Sequence, residues 1–255
     1  MLENKTKLIV ANWKMFGNFE FTIHYFKHLC DEVIDEDLKI IVCPPLPYIN
    51  VAYRILIENE NEQITLGAQN ISHLTDTAST GEINAQMLEE SGAKFVFVGH
   101  SERRKLGETE EIINEKMKII NTSTLCPILC IGEDIKTKEN SKTAEFIENQ
   151  LETALTGIEK IENLIIAYEP VWSIGTGKTP TDNEIIEIAN IIRKTIQQLT
   201  KVENLYVLYG GSINGSNIKD FLKIKELDGV LVGGYSLKTH EFCETLAHIS
   251  LAELQ

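Results

Sequence analysis

The chain has 255 residues, 43% of them hydrophobic, yet no apolar run approaches the ~20 residues that cross a bilayer, and it does not begin with a charged, apolar and small-residue export signal. With 38 acidic against 24 basic residues its formal charge is −14, which repels nucleic acid and anionic lipid over most of the surface. These features predict a soluble, cytoplasmic protein with no nucleic-acid or membrane partner, in which any bound phosphate is held locally by backbone amides and a few placed lysines.

Five cysteines, Cys30, Cys43, Cys126, Cys130 and Cys243, are odd in number, scattered, and lack both Cys-x-x-Cys spacing and a clustered histidine. Reduced thiols and no metal site are expected.

Residues 7–13 read as a buried strand, and 18–33 as a helix with Phe19, Ile23, Phe26 and Leu29 at helical spacing. Residues 38–43 are a second strand, stopped by Pro44-Pro45 and followed by a helical stripe from Tyr48 to Leu56. A third strand over 64–70 leads through a polar stretch to Glu82 and a short helix containing Met87 and Leu88. Residues 94–100 and 108–121 form the fourth strand and helix. Residues 127–131 form the fifth strand, with its helix around Ala144 to Leu155. The sixth strand, 164–169, precedes a helix capped by Thr181 or Asp182 and carrying Ile185, Ile188, Ala189 and Ile192. Residues 205–209 and 229–232 complete eight strands, each with a helical segment after it.

Strict alternation with fully apolar strands requires a parallel sheet covered on both faces. An open doubly wound sheet is the alternative. Eight pairs in this length, without a glycine fingerprint after the first strand, favour a closed (β/α)8 barrel in one domain spanning 1–255.

In such a barrel the chemistry collects at the C-terminal ends of the strands. Those ends carry Asn12 and Lys14, then His100 with Ser101-Glu102-Arg103-Arg104, then Glu169, and finally Gly210-Gly211-Ser212 and Gly233-Gly234. Glu169 opens a stretch in which Pro170 stops the strand, and Gly175 and Gly177 permit backbone geometry and close approach that side chains forbid. Taken singly, each has a plain structural reading: a salt-bridged carboxylate, a hydrogen-bonded histidine, a surface lysine, a tight turn.

Six blocks in order resemble the signature segments of triosephosphate isomerases, over about residues 7 to 250. They are Asn12-Trp-Lys-Met15, Gly67-Ala-Gln-Asn70, Gly99-His-Ser-Glu-Arg-Arg104, Tyr168-Glu-Pro-Val-Trp172 with Gly175-Thr-Gly-Lys178, Tyr209-Gly-Gly-Ser212 and Val232-Gly-Gly234. The resemblance implies interconversion of dihydroxyacetone phosphate and glyceraldehyde 3-phosphate through an enediolate, a step of glycolysis and gluconeogenesis. It is proton transfer alone and needs no metal or organic cofactor.

Glu169 is implied as the base, since a carboxylate in a closed, dry pocket gains basicity as desolvation disfavours its charge. His100 is implied as the electrophile, a role in which the family uses a neutral histidine whose pKa is lowered by a helix N-terminus; Ser101-Glu102-Arg103 would supply that helical turn. Lys14 would add fixed positive charge, oriented by Asn12 and paired with Glu102. The phosphate would rest against Gly175, Ser212, Gly233 and Gly234, beside a short helix starting near Tyr235 or Ser236. Residues 170–179 would close over the substrate and keep the intermediate from expelling phosphate.

Three positions depart from the family pattern. Tyr235 stands where alanine is usual, so its side chain must point away from the phosphate or crowd the pocket wall. Pro180 stands at the lid's C-terminal hinge, where its fixed φ stiffens motion. Residues 71–82 match the family's arm, which enters the partner of a homodimer with Thr80 near its tip and buttresses Asn12 and Lys14 of the other chain. Ser79 replaces a bulky aromatic there, predicting a dimer that lacks the arm's usual apolar anchor. The rival readings are another sugar-phosphate barrel, for which neither a strand-end Schiff-base lysine nor a metal cluster is clear, and a non-catalytic sugar-phosphate binder.

Overall fold

A computed structural model of the chain describes residues 6–76 and 78–253. Eight parallel strands form a closed barrel in sequence order: β1 (Lys7–Asn12), β2 (Leu38–Cys43), β3 (Ile64–Ala68), β4 (Phe95–Val98), β5 (Cys126–Ile131), β6 (Lys160–Tyr168), β7 (Lys201–Tyr209) and β8 (Gly229–Val232). Because β1 pairs with both β2 and β8, the sheet has no edge and the open doubly wound alternative falls. The outer helices are α1 (Phe19–Asp31), α2 (Leu46–Glu58), α3 (Ala85–Ser91), α4 (Ser101–Lys105), α5 (Glu110–Ile120), α6 (Ile135–Glu139), α7 (Thr143–Leu155), α8 (Asp182–Leu199), α9 (Ile218–Lys223) and α10 (Thr239–Ala247).

The near-continuous apolar strands are explained by two separate cores. Alternate side chains such as Leu8, Val10, Ile41, Phe97, Ile128, Ile165 and Leu208 fill the barrel, while their neighbours Ile9, Ala11, Ile40, Val96, Ile166 and Val207 pack outward against the helices. All five cysteines are free, and Cys43, Cys126 and Cys130 sit in the inner core.

Helix starts follow their caps. Asn18, Asn84, Thr109 and Asp134 each accept a backbone N–H from the first turn, and Thr181 forms a reciprocal capping box with Glu184. The first helix therefore begins one residue after the predicted Asn18 and ends at Asp31 rather than Val33. Two features escape the hydrophobic pattern. The five-residue α6 buries no side chain, and β6 and β7 extend four residues earlier than their apolar runs. Those extensions pair with each other mostly through polar residues, Lys160 opposite Lys201 and Asn163 opposite Asn204, with one apolar pair, Ile161 and Val202, between them and the Asn204 amide donating to Asn163 at 3.0 Å.

Among the described residues, no helix is long and apolar enough to cross a membrane.

Closure depends on Gly229, which pairs with Leu8 on one side and Leu208 on the other. A Cβ there would lie 1.9 Å from the Leu8 carbonyl oxygen. Gly229→Ala is expected to cost about 1–3 kcal/mol of stability, read from the midpoint of urea unfolding.

Candidate active site

The end of β1 is bent by a left-handed residue. Lys14 has φ +54°, unusual for a residue with a side chain. It is kept there from both sides: its N–H donates to Asn12 Oδ1 at 3.0 Å, and its carbonyl accepts from the Gln69 amide at 2.8 Å. The turn sends the ammonium back over the barrel mouth, where Nζ meets Glu102 Oε1 at 2.7 Å. Burial raises the Glu102 pKa, but the hydrogen bond from Lys14 and the positive charge of its neighbours together lower it by more, so this carboxyl is held below its ordinary value.

His100 and Glu169 come from β4 and β6, which are separated by β5, and barrel curvature brings them together. His100 Nε2 lies 3.2 Å from Glu169 Oε1, and both residues are buried. The predicted helical turn exists: α4 starts at Ser101, and the Glu102 N–H points at His100 Nδ1, 3.2 Å away. That nitrogen is thereby assigned as an acceptor, which puts the ring proton on Nε2. Asn12 Nδ2 lies 3.3 Å from the same Nε2. Because the Lys14 N–H fixes Oδ1 as the acceptor end of the Asn12 amide, two N–H donors converge beside Glu169. The second Glu169 oxygen accepts from the Ser101 N–H at 3.3 Å.

The histidine's electrostatics differ from the expected lowering. Burial does push its pKa down, but the Glu169 carboxylate and its hydrogen bond pull it up by more, and the net direction is upward.

Asn12, Lys14, His100 and Glu169 line a cavity of about 270 Å³ together with Gly175, Ser212, Gly233 and Gly234. The 3-10 helix Gly234–Leu237 starts at its edge, one residue before the expected start. Residues 170–180 lie across this mouth: the Gly177 N–H donates to Ser212 Oγ at 3.2 Å, joining the loop to the turn after β7. Of the predicted site residues, only Thr80 stands apart from this cluster. It is exposed at the end of the arm and makes no side-chain hydrogen bond among the described residues. Among those residues no three His, Cys, Asp or Glu side chains form a candidate metal site.

The family model for triosephosphate isomerase matches residues 7–249. The chain belongs to the triosephosphate isomerase family. Proteins of that name from Dictyoglomus turgidum, Clostridium tetani and Shewanella halifaxensis are 41%, 40% and 38% identical to it. The alignments cover 92–93% of this chain and 93–97% of each relative.

Set against the triosephosphate isomerase pattern, two departures gain an explanation. Tyr235 lines the cavity but turns its hydroxyl to α10, bonding Thr245 Oγ1 at 2.7 Å and the Glu241 carbonyl at 3.1 Å. Pro180, at the end of the loop, is buried. Residues after two other strands, which were not assigned to the site from sequence, complete it: Gln69 after β3 and Glu133 after β5. Glu133 accepts from Tyr168 Oη at 3.1 Å and from Trp172 Nε1 at 2.8 Å, tying the start of the loop to β6; burial raises its pKa more than these donors lower it. Lys138 lies 3.9 Å over the Trp172 ring.

Behind the His100 turn, the buried Lys116 bonds Asn70 Oδ1 at 2.6 Å and also Glu108, which accepts from Arg103 as well. Lys116 and Glu108 side chains are only 2% and 6% exposed. Burial alone would raise the Glu108 pKa, but hydrogen bonds from Lys116 and Arg103 lower it below the ordinary value. Its stabilisation is therefore complete above the unfolded carboxyl pKa of ~4.3 and drains away as pH falls toward the lower folded value. Glu108→Gln leaves an unpaired buried ammonium, with an expected loss of about 3–5 kcal/mol at pH 7 by urea unfolding. The variant's stability should fall less steeply with acid than that of the wild type.

Proposed function

We propose that the chain interconverts dihydroxyacetone phosphate and D-glyceraldehyde 3-phosphate, with Glu169 as the base, as a step of glycolysis and gluconeogenesis. The observation that supports this most is that a buried carboxylate faces two N–H donors, His100 Nε2 and Asn12 Nδ2, in one small cavity that also contains Lys14.

Glu169 removes a proton from the carbon beside the carbonyl. The C–H electron pair forms the enediolate double bond, and the carbonyl pair moves onto oxygen. That oxygen gains charge where the His100 and Asn12 donors converge and Lys14 adds a full positive charge. Glu169 then returns the proton to the adjacent carbon. Most of the upward pull on the His100 pKa comes from Glu169, with a smaller part from Glu102. The larger part weakens when Glu169 takes the proton, which favours a neutral ring that donates from Nε2 as the oxyanion forms.

The phosphate lies between Gly175, Ser212, Gly233 and Gly234, and residues 170–179 close over it to exclude water. Backbone amides suit this role in a protein of charge −14, because they attract an anion without a basic surface.

We place the protein in the cytoplasm as a homodimer. Its five free thiols suit a reducing compartment. Met15 and Phe16, next to Lys14, are 95% and 60% exposed, and Leu74 on the arm and Met87 on α3 are also exposed. Apolar surface of this kind beside the barrel mouth suits burial against a second copy. Leu74 offers the arm an apolar side chain that Ser79 lacks, and Thr80 then reaches Asn12 and Lys14 of the other chain.

In a coupled isomerase assay, Glu169→Gln is expected to lose about 10²–10⁴-fold in kcat with little change in KM. A wild type that is inactive while still binding inorganic phosphate would instead mark a non-catalytic sugar-phosphate binder. Sedimentation at low micromolar concentration should give a dimer; a monomer alone would refute the arm's role.

A further inference from the structure

Ser173 sits in the middle of the loop that crosses the cavity, yet it is fully buried. A serine is the wrong residue to bury unless its hydroxyl is occupied. Its Oγ lies 2.6 Å from the Lys178 carbonyl and 3.1 Å from Tyr209 Oη, with the Ser212 N–H at 3.4 Å.

The direction of these bonds follows from proton counting. A carbonyl only accepts, so the single Ser173 proton goes to Lys178. Tyr209 must then donate its own proton to Ser173 Oγ. The result is a directed chain, Tyr209 O–H to Ser173 O–H to the Lys178 carbonyl, running from the end of β7 through the loop's first limb into its second. Space for it is made by Gly211, where a Cβ would fall 2.1 Å from Tyr209 Oη and 2.7 Å from Ser173 Oγ.

The second limb needs such a tie. The Lys178 N–H is used inside the loop, on Thr176 Oγ1 at 3.2 Å, and Pro180 has no N–H to offer. Among the described residues, the hydrogen bonds that tie Gly177 and Lys178 toward β7 are the Gly177 N–H to Ser212 Oγ and the Ser173 hydroxyl to the Lys178 carbonyl. The first limb is fastened independently, by Trp172 on Glu133.

We propose that Ser173 is a positioning residue, a strut that couples the loop's far limb to β7 and so sets how completely the loop covers the reacting intermediate. It touches no substrate. The proposal rests on the isomerase reading above, because only an enediolate phosphate gives incomplete cover a chemical signature. When the intermediate is exposed, its C–O bond to phosphate breaks, inorganic phosphate leaves, and the carbon skeleton departs as a 2-oxoaldehyde.

The test compares wild type, Ser173→Ala, Tyr209→Phe and the double variant, measuring kcat, KM, inorganic phosphate released per isomerisation and the thermal midpoint. Loss of one buried hydrogen bond from the covered state corresponds to about a threefold to tenfold shift in the loop's equilibrium. Ser173→Ala should therefore lower kcat and raise phosphate release per turnover by about that factor, with a smaller change in KM and an unchanged thermal midpoint. In the double variant the two losses should be less than additive, since both residues serve one chain of bonds.

Unchanged phosphate release in an active Ser173→Ala protein, or additive effects of the two substitutions, would overturn the strut and leave the isomerase reading intact. An inactive wild type would remove that reading, and the strut with it.

Discussion

The burial of one carboxylate at the mouth of the barrel constrains much of what surrounds it. Glu169 is 3% exposed, and an ionised group so placed must receive hydrogen bonds or lose its charge. Its two partners, the His100 ring and the Ser101 N–H, both come from the turn after β4, two strands away. Only a curved, closed sheet brings the ends of β4 and β6 face to face across β5. The backbone and stem of Glu169 also limit where side chains fit. A Cβ on Gly132, after β5, would lie 1.9 Å from the Glu169 carbonyl oxygen, and one on Gly210, after β7, would lie 3.0 Å from Glu169 Cγ.

Positive charge at the mouth is similarly local. Lys14 is half-buried and adopts a backbone conformation that costs energy, so Asn12 and Gln69 must both hold it. Its partner Glu102 is more exposed, with 49% of its side chain open to solvent against 26% for Lys14. Such a pair adds little to stability. Its value is directional: Glu102 fixes where the ammonium points, and the Glu102 N–H fixes which nitrogen of His100 bears the proton. One residue thus orients two neighbours by unrelated bonds, one from its side chain and one from its backbone.

The barrel was legible because apolar strands and helical stripes alternate eight times, and the site because its polar residues interrupt the chain where those strands end. What stayed hidden has a common physical character. Gln69, Glu133, Lys116 and Ser173 act through partners distant in sequence, and no local spacing encodes a bond from Trp172 to Glu133 or from Lys116 to Asn70. The early halves of β6 and β7 were hidden for another reason: only Ile161 and Val202 there reach the apolar core, and the residues around them are asparagine and charged side chains, so no apolar run marks the pairing. The sign of the His100 shift was equally out of reach, since it depends on a 3.2 Å distance to a residue 69 positions away in the chain.

Pro180 illustrates how a departure from family pattern acquires meaning only in three dimensions. Read along the chain, it stiffens a hinge by fixing φ. In space its more consequential property is the missing N–H, because a loop lying over a cavity is attached chiefly through its own polar groups. A buried serine seven residues earlier, one that donates to the Lys178 carbonyl and accepts from Tyr209, stands where that shortage is felt. Stiffness at the hinge and a side-chain strut within the loop act in the same direction, since both reduce the number of conformations that the far limb samples when it leaves the barrel mouth. The loop's covered state is thus set less by the glycines that let it bend than by the few hydroxyls and amides that decide where bending stops.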